Sequence, residues 1–257
     1  MKKYILSICL ISLQLLSFAQ TIPQRKIGKQ IWMVANLNVS KFRNGDPIPQ
    51  AKTAEQWTSA NENKQPAWCY YKNDPLNGSK YGKLYNWYAV NDPRGLAPKG
   101  WHIPSIDEWG ELVDSTRKSN NNLKPLKSTT GWKNYETGGY ETGEDCVYCG
   151  GTGQRYSKIS YKYITCTVCG GSGGNKSYSS KRILSGNGTN KSGFTGLPGG
   201  FRNYEDAIFY WIGEAGLWWS SEEVDDKNGY AFSLLRNDYN YEKLNKGYGG
   251  SVRCLKD

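Results

Sequence analysis

Four cysteines are spaced for metal chemistry. Cys146-Val-Tyr-Cys149-Gly-Gly-Thr-Gly153 is followed by Cys166-Thr-Val-Cys169-Gly-Gly-Ser-Gly173, two C-x-x-C-x-G-x-G units with sixteen residues between the pairs. A two-residue gap lets two thiolates on one tight turn reach a single ion, and the glycines let the backbone turn its N–H groups toward sulfur. Two such units complete a tetrahedral four-thiolate site with no open coordination position, which suits a structural zinc ion rather than a hydrolytic one. In an oxidising compartment the same thiols have a second option, two short-range disulfides. The doubled glycine pattern is the more specific signal and favours zinc.

Other reactive residue types are sparse. His102 is the only histidine, and it sits between Trp101 and Ile103 at the entry to a helix, where a packed structural imidazole is expected. No nucleophile-elbow motif accompanies it, so a Ser-His-Asp arrangement has little support. Gly170 to Ser177 (GGSGGNKS) is not a phosphate loop, because Asn175 occupies the glycine position that the motif needs. The acidic run Glu222, Glu223, Asp225, Asp226 lacks the EF-hand order and reads as a solvated loop. The chain also carries ten Trp and nineteen Tyr. These rings combine broad apolar faces with a polar handle, and most are expected in the core. Trp211, Trp218 and Trp219, set among glycines, are the candidates for stacking against a polysaccharide or peptide.

The N-terminus sets the compartment. Lys2 and Lys3 precede a mostly apolar run from Tyr4 to Phe18, and Ser17 and Ala19 supply small residues for cleavage before Gln20. Residues 1–19 therefore read as a secretory signal peptide, and the protein is expected in the periplasm, at the outer surface or secreted. No later segment is apolar enough to span a bilayer. The formal net charge is +10, yet Lys and Arg are scattered singly, which argues against a nucleic-acid groove. Removal of the signal takes Cys9 from the seven cysteines and leaves six. Outside the clustered four stand Cys69 and Cys254, for which export predicts a disulfide closing a long loop. Two buried free thiols are the alternative.

The elements that must position these residues are short. Lys26 to Leu37 reads as a strand with Ile27, Ile31 and Trp32 inward, and Asn44 to Pro49 as a turn. Thr53-x-x-Gln56 opens a short helix over 53–61 through a capping box. The best helix starts at Ser105, with Glu108 closing its box and Trp109, Leu112, Val113 and Thr116 at helical spacing, and it ends near Lys118. Residues 136–183 change composition to Gly, Ser, Lys and Tyr around the four cysteines. That insert is too polar to fold on apolar area alone, so metal binding would supply the missing free energy. Short strands between glycine turns follow. The expected organisation is a signal peptide (1–19), a first part of the main domain (20–135), a zinc-knuckle β-hairpin insert (136–183) and a second part (184–257). The class is an irregular α+β domain with short strands and one or two main helices.

The flanking segments resemble a known family. The runs Ile27–Val39, Trp68–Trp109, Ser192–Asn203, Gly216–Glu222 and Gly247–Asp257 are similar, in order, to the Fibrobacter succinogenes major paralogous domain, found on exported bacterial proteins. A weaker resemblance runs to the formylglycine-generating-enzyme type of the C-type-lectin-like fold, through Gly100-Trp101-His102-Ile103-Pro104-Ser105 with Glu108-Trp109, and through Ser251-Val252-Arg253-Cys254. Gly199 to Phe209, where that enzyme carries cysteines, has none, so its copper ligands do not carry over. Lectin-like folds that use loop carboxylates make calcium a lesser metal expectation. The cysteine units resemble the zinc-binding region of DnaJ-type co-chaperones, with two repeats and no J-domain. These resemblances imply architecture more than function; the surplus of Trp and Tyr on glycine-rich loops motivates the expectation of a non-catalytic exported binding or adhesion module for polysaccharide or protein. The rivals are an envelope assembly component docking through the knuckle, and a degenerate formylglycine-generating-like oxidoreductase.

Overall fold

The computed structural model describes residues 22–116, 123–137, 154–157, 162–166, 182–235 and 238–257. Over these residues the chain is an irregular α+β domain of short antiparallel strands and four α-helices. It opens with β1 (Gln24–Ile27) and β2 (Gln30–Met33), which pair with Ile27 opposite Gln30. The single strand expected over Lys26 to Leu37 is therefore a hairpin. Its two-residue turn begins at Gly28, whose φ of +60° is the left-handed value that lets strands reverse tightly. Ile27 and Trp32 point into the core as expected, while Ile31 is only half-buried.

Helix α1 (Ala54–Glu62) carries the expected capping box, with Thr53 and Gln56 bonding each other's backbone N–H. It buries Trp57, whose indole N–H donates to the Gly247 carbonyl at 2.9 Å. Next come β3 (Trp68–Cys69), a single 3-10 turn at Tyr71–Asn73 and α2 (Pro75–Tyr81). The Asn73-Asp74-Pro75 sequence starts this helix: Asp74 accepts from the Leu76 N–H and Pro75 takes the first helical position, where a missing N–H costs nothing. Then follow β4 (Leu84–Tyr85), α3 (Trp87–Val90), β5 (Trp101–His102) and α4 (Ile106–Thr116). Helix α4 is the one expected from Ser105. The Glu108 N–H donates to Ser105 Oγ at 3.2 Å, the Ser105 N–H donates to Glu108 Oε2 at 2.9 Å, and Trp109, Leu112 and Val113 are buried.

Strand β6 (Tyr135–Thr137) pairs with β9 (Arg182–Leu184), Tyr135 opposite Leu184, so the chain departs and returns through one narrow two-stranded neck. Within the intervening stretch β7 (Gln154–Ser157) pairs antiparallel with β8 (Lys162–Thr165), Gln154 opposite Thr165. Past the neck, β10 (Phe201–Arg202) and β11 (Phe209–Tyr210) form a small hairpin. A meander of β12 (Gly216–Asp225), β13 (Asn228–Leu234) and β14 (Tyr239–Asn245) follows. The last strand, β15 (Leu255–Lys256), inserts between β2 and β5 to give the four-stranded order β1-β2-β15-β5.

The core is aromatic. Trp109 stacks on Phe232 with centroids 4.7 Å apart and lies 4.8 Å from Trp32, and Phe194 meets Trp32, Trp109 and Trp218 edge-on. Beside this cluster Arg253 is fully buried with Asn36 as its nearest polar side chain. Asn36 Oδ1 accepts from Arg253 Nε at 3.0 Å, from Arg253 Nη2 at 2.6 Å and from the Trp218 indole at 2.8 Å. The guanidinium also donates to the carbonyls of Met33 and Phe194, and its plane lies over the Phe194 ring. Burial lowers the Arg253 pKa to about 9. The cation is held by neutral oxygens spread over segments far apart in the chain. Arg253→Met keeps the stem but strands those acceptors in the core, so it should cost about 3 kcal/mol in denaturant unfolding. A loss under about 1 kcal/mol would show that the oxygens find other donors.

Candidate functional site

The β10–β11 hairpin presents a half-exposed aromatic surface. Antiparallel pairing sets Phe201 opposite Tyr210, so both rings share a face, 5.9 Å apart. Phe201 is buried and also contacts Trp211 (5.8 Å) and Tyr248 (5.7 Å), and Tyr248 in turn contacts Tyr204 (5.2 Å). Tyr204, Tyr210 and Trp211 thus form a platform of partly solvent-facing rings, tilted or edge-on against the buried rings of Phe201 and Tyr248. The turn between the strands places two exposed carboxylates on its rim. Tyr204 Oη donates to Glu205 Oε1 at 2.7 Å, and Tyr210 Oη donates to Asp206 Oδ2 at 2.8 Å. Ile208, 53 % exposed, adds an apolar edge.

Specific contacts hold this hairpin. Arg202, buried beneath it, donates from Nε to the Ala207 carbonyl (3.0 Å), from Nη1 to Ala51 (3.0 Å) and from Nη2 to Thr53 (2.9 Å). One guanidinium therefore ties the turn to the segment that starts α1, and its plane also lies 4.8 Å from the Trp57 and Phe209 rings. Ala207 (φ 54°) and Trp211 (φ 63°) bracket β11 in the left-handed region, uncommon for residues with a Cβ. Gly200 (φ +65°) permits the close approach, since a Cβ there would lie 2.3 Å from the Tyr210 carbonyl.

The sequence candidates fare differently. Of the three tryptophans, only Trp211 stays partly exposed. Trp218 and Trp219 are fully buried, because successive β12 side chains point to opposite faces and both faces are covered: Trp218 joins the Trp32–Trp109 cluster and Trp219 the larger one. They are core residues and not stacking sites. The expected Cys69–Cys254 disulfide is absent as well. Each is a buried free thiol, Cys69 in the cluster with Trp57 and Tyr71, and Cys254 beside Arg253 in another cluster. Burial pushes both thiols up to about 12. Glu222, Glu223 and Asp225 lie on β12 rather than in a loop, with Glu223 paired to Lys246, and Asp225 to Lys243 at 2.8 Å. Cys166 is buried at the end of β8, while Cys146, Cys149 and Cys169 lie outside the described residues.

Tyr204, Glu205, Asp206 and Tyr210 were not singled out from the sequence. The available signal was the run Asn203 to Ile212, in which four aromatics flank two adjacent acids and no basic residue appears. No helix among the described residues is long and apolar enough to cross a membrane. The profile of the family described as the Fibrobacter succinogenes major domain matches residues 26–256. No curated protein and no solved structure is matched by the chain.

His102 is a clasp. Its Nδ1 lies 2.8 Å from Asp257 Oδ1 and its Nε2 lies 2.9 Å from Glu108 Oε1, so the imidazole joins the C-terminal residue to the first turn of α4. Burial acts to lower its pKa, but the hydrogen bonds and charges of Asp257 and Glu108 outweigh it and hold the group above its ordinary 6.5. Protonation is thus favoured in the folded state. The stabilisation is complete below pH 6.5 and is lost as pH rises through the elevated folded value. Denaturant midpoints of the protein and of His102→Gln should differ most below pH 6.5 and converge as pH rises through the elevated folded value. A gap that widens on the alkaline side would reverse the assignment.

Proposed function

The chain belongs to the Fibrobacter succinogenes major domain family, and from that premise we propose that it is an exported, non-catalytic glycan-binding module with a zinc-stabilised projection. The observation that carries the reading is the platform of Tyr204, Tyr210 and Trp211, rimmed by Glu205 and Asp206. Flat rings over a rigid buried layer suit the C–H face of a pyranose, and rim carboxylates suit its hydroxyl donors. The lectin-like architecture belongs to the same reading. The strand that directly follows the Ser251–Cys254 segment, β15, pairs with β5 in the Gly100–Ser105 segment, with Leu255 opposite His102.

The zinc reading rests on the hairpin in the insert. In sequence the first C-x-x-C unit precedes β7 and the second begins just after β8, and Gln154, where β7 starts, pairs with Thr165, where β8 ends. Cys166, the residue after Thr165, is buried there, as a thiolate shielded within a closed four-sulfur site would be. Bound zinc would act as a structural cross-link. Export, by the N-terminal segment of residues 1–19, is part of the proposal. The alternative, docking of an envelope protein through the projection, draws on Ile183 in the neck, which is 71 % exposed.

Two measurements test these readings. On arrays of bacterial and plant polysaccharides, Trp211→Ala should weaken binding about five- to tenfold while the thermal midpoint stays close to that of the parent. Binding carried equally by the variant, or by no glycan at all, removes the platform reading. Metal analysis of purified protein should return one zinc per chain, lost in Cys166→Ser. Zinc-free protein with the four insert cysteines unreactive to thiol reagents after unfolding would establish the disulfide alternative.

A further inference from the structure

The rim of the platform is unusual in what it offers a ligand. The phenol protons of Tyr204 and Tyr210 are directed to Glu205 and Asp206, and Asp206 Oδ1 also accepts from the Ile208 N–H at 2.9 Å. The two exposed carboxylates keep lone pairs beyond these bonds, and that is hydrogen-bond acceptance with negative charge. Residues 203–212 contain two acids and no lysine or arginine, in a chain where Lys and Arg number 33 against 23 acids. The platform edge therefore exposes two acids on a basic molecule, with the one nearby guanidinium named above, Arg202, buried beneath the turn and bonded to carbonyls. A cationic ligand is repelled by the net charge elsewhere and attracted here, so charge helps localise it.

We propose that the ligand of this platform is a glycan bearing unacylated primary amines, a polymer of glucosamine-type units that is cationic in mildly acidic solution, the condition under which binding is tested. The inference rests on the glycan reading and narrows it. Each chemical feature of such a sugar has a counterpart. The C–H face of the ring lies on Tyr210 and Trp211, the ammonium group engages Glu205 and Asp206, and the electron-rich faces of Tyr204 and Tyr210 favour the same charge. An N-acetylated unit keeps the ring face but loses the charge. A lysine-rich peptide keeps the charge but has no flat ring to stack.

The distinguishing experiment is calorimetric titration of the full-length mature protein with three probes: a glucosamine hexamer, an N-acetylglucosamine hexamer and a lysine hexamer. The glucosamine hexamer should bind about tenfold more tightly than its acetylated counterpart, with an advantage that shrinks as salt is raised. In the double variant E205Q/D206N, whose amide oxygens still accept from the two phenols, that gap should narrow to less than about threefold. Equal affinity for the two sugars in the parent protein overturns the amine assignment and leaves the glycan reading standing. Lysine hexamer binding as tightly as the glucosamine hexamer overturns the sugar assignment. If neither sugar binds, the glycan reading fails and this inference falls with it.

Discussion

The fold converges on one side-chain oxygen. Asn36 Oδ1 receives donors from Arg253 and Trp218, residues more than 180 positions away in sequence. A guanidinium sealed among aromatic rings is costly to desolvate, and it is tolerated because the Asn36 oxygen and backbone carbonyls from separate segments surround it. Those acceptors assemble only when the segment after β2, the loop containing Phe194 and the stretch before β15 are all in place. Arg253 thus makes ordering of the C-terminal segment conditional on the rest of the body. A hydrophobic replacement of similar shape would remove that conditionality along with the charge.

The candidate surface uses the same device. Arg202 stands under the β10–β11 hairpin as Arg253 stands under the last strand, each buried and satisfied by carbonyl oxygens. The consequence is a binding surface built on short strands yet held as firmly as a core element. The left-handed conformations at Ala207 and Trp211 persist because fixed contacts on either side over-determine them: the Ala207 carbonyl accepts from Arg202, and the Trp211 carbonyl accepts from the Glu214 and Ala215 N–H groups. Rings presented in this way lose little freedom when a ligand arrives.

Local signals in the sequence read well, and signals that depend on distant partners read poorly. Both capping boxes, at Thr53 and Ser105, are visible because they are encoded within four residues. The α+β class and the shortness of the strands follow from glycine spacing. The turn at Gly28 was missed because Lys26 to Leu37 reads as one apolar-rich run, and only pairing with Ile27 opposite Gln30 reveals the reversal. Trp218 and Trp219 looked like surface candidates because neighbouring glycines suggest loops. Their burial on both faces of β12 depends on layers contributed by α4 and by β4, which no local window contains. The pairing of Cys69 with Cys254 was inferred from compartment alone, and compartment cannot say which core cluster each thiol enters. The platform carboxylates were legible only as composition, an acidic and aromatic run without lysine, and not as geometry.

The neck formed by β6 and β9 has a consequence of its own. Because Tyr135 and Leu184 lie side by side, the body meets the inserted stretch as a chain that leaves and re-enters at nearly one point. The entropy of closing that loop grows only slowly with its length, so the stability of the body is almost indifferent to how many residues the excursion contains. The neck is in effect a graft junction: one lineage could carry a cysteine-rich cargo there and another a short hairpin, without the rest of the fold registering the exchange.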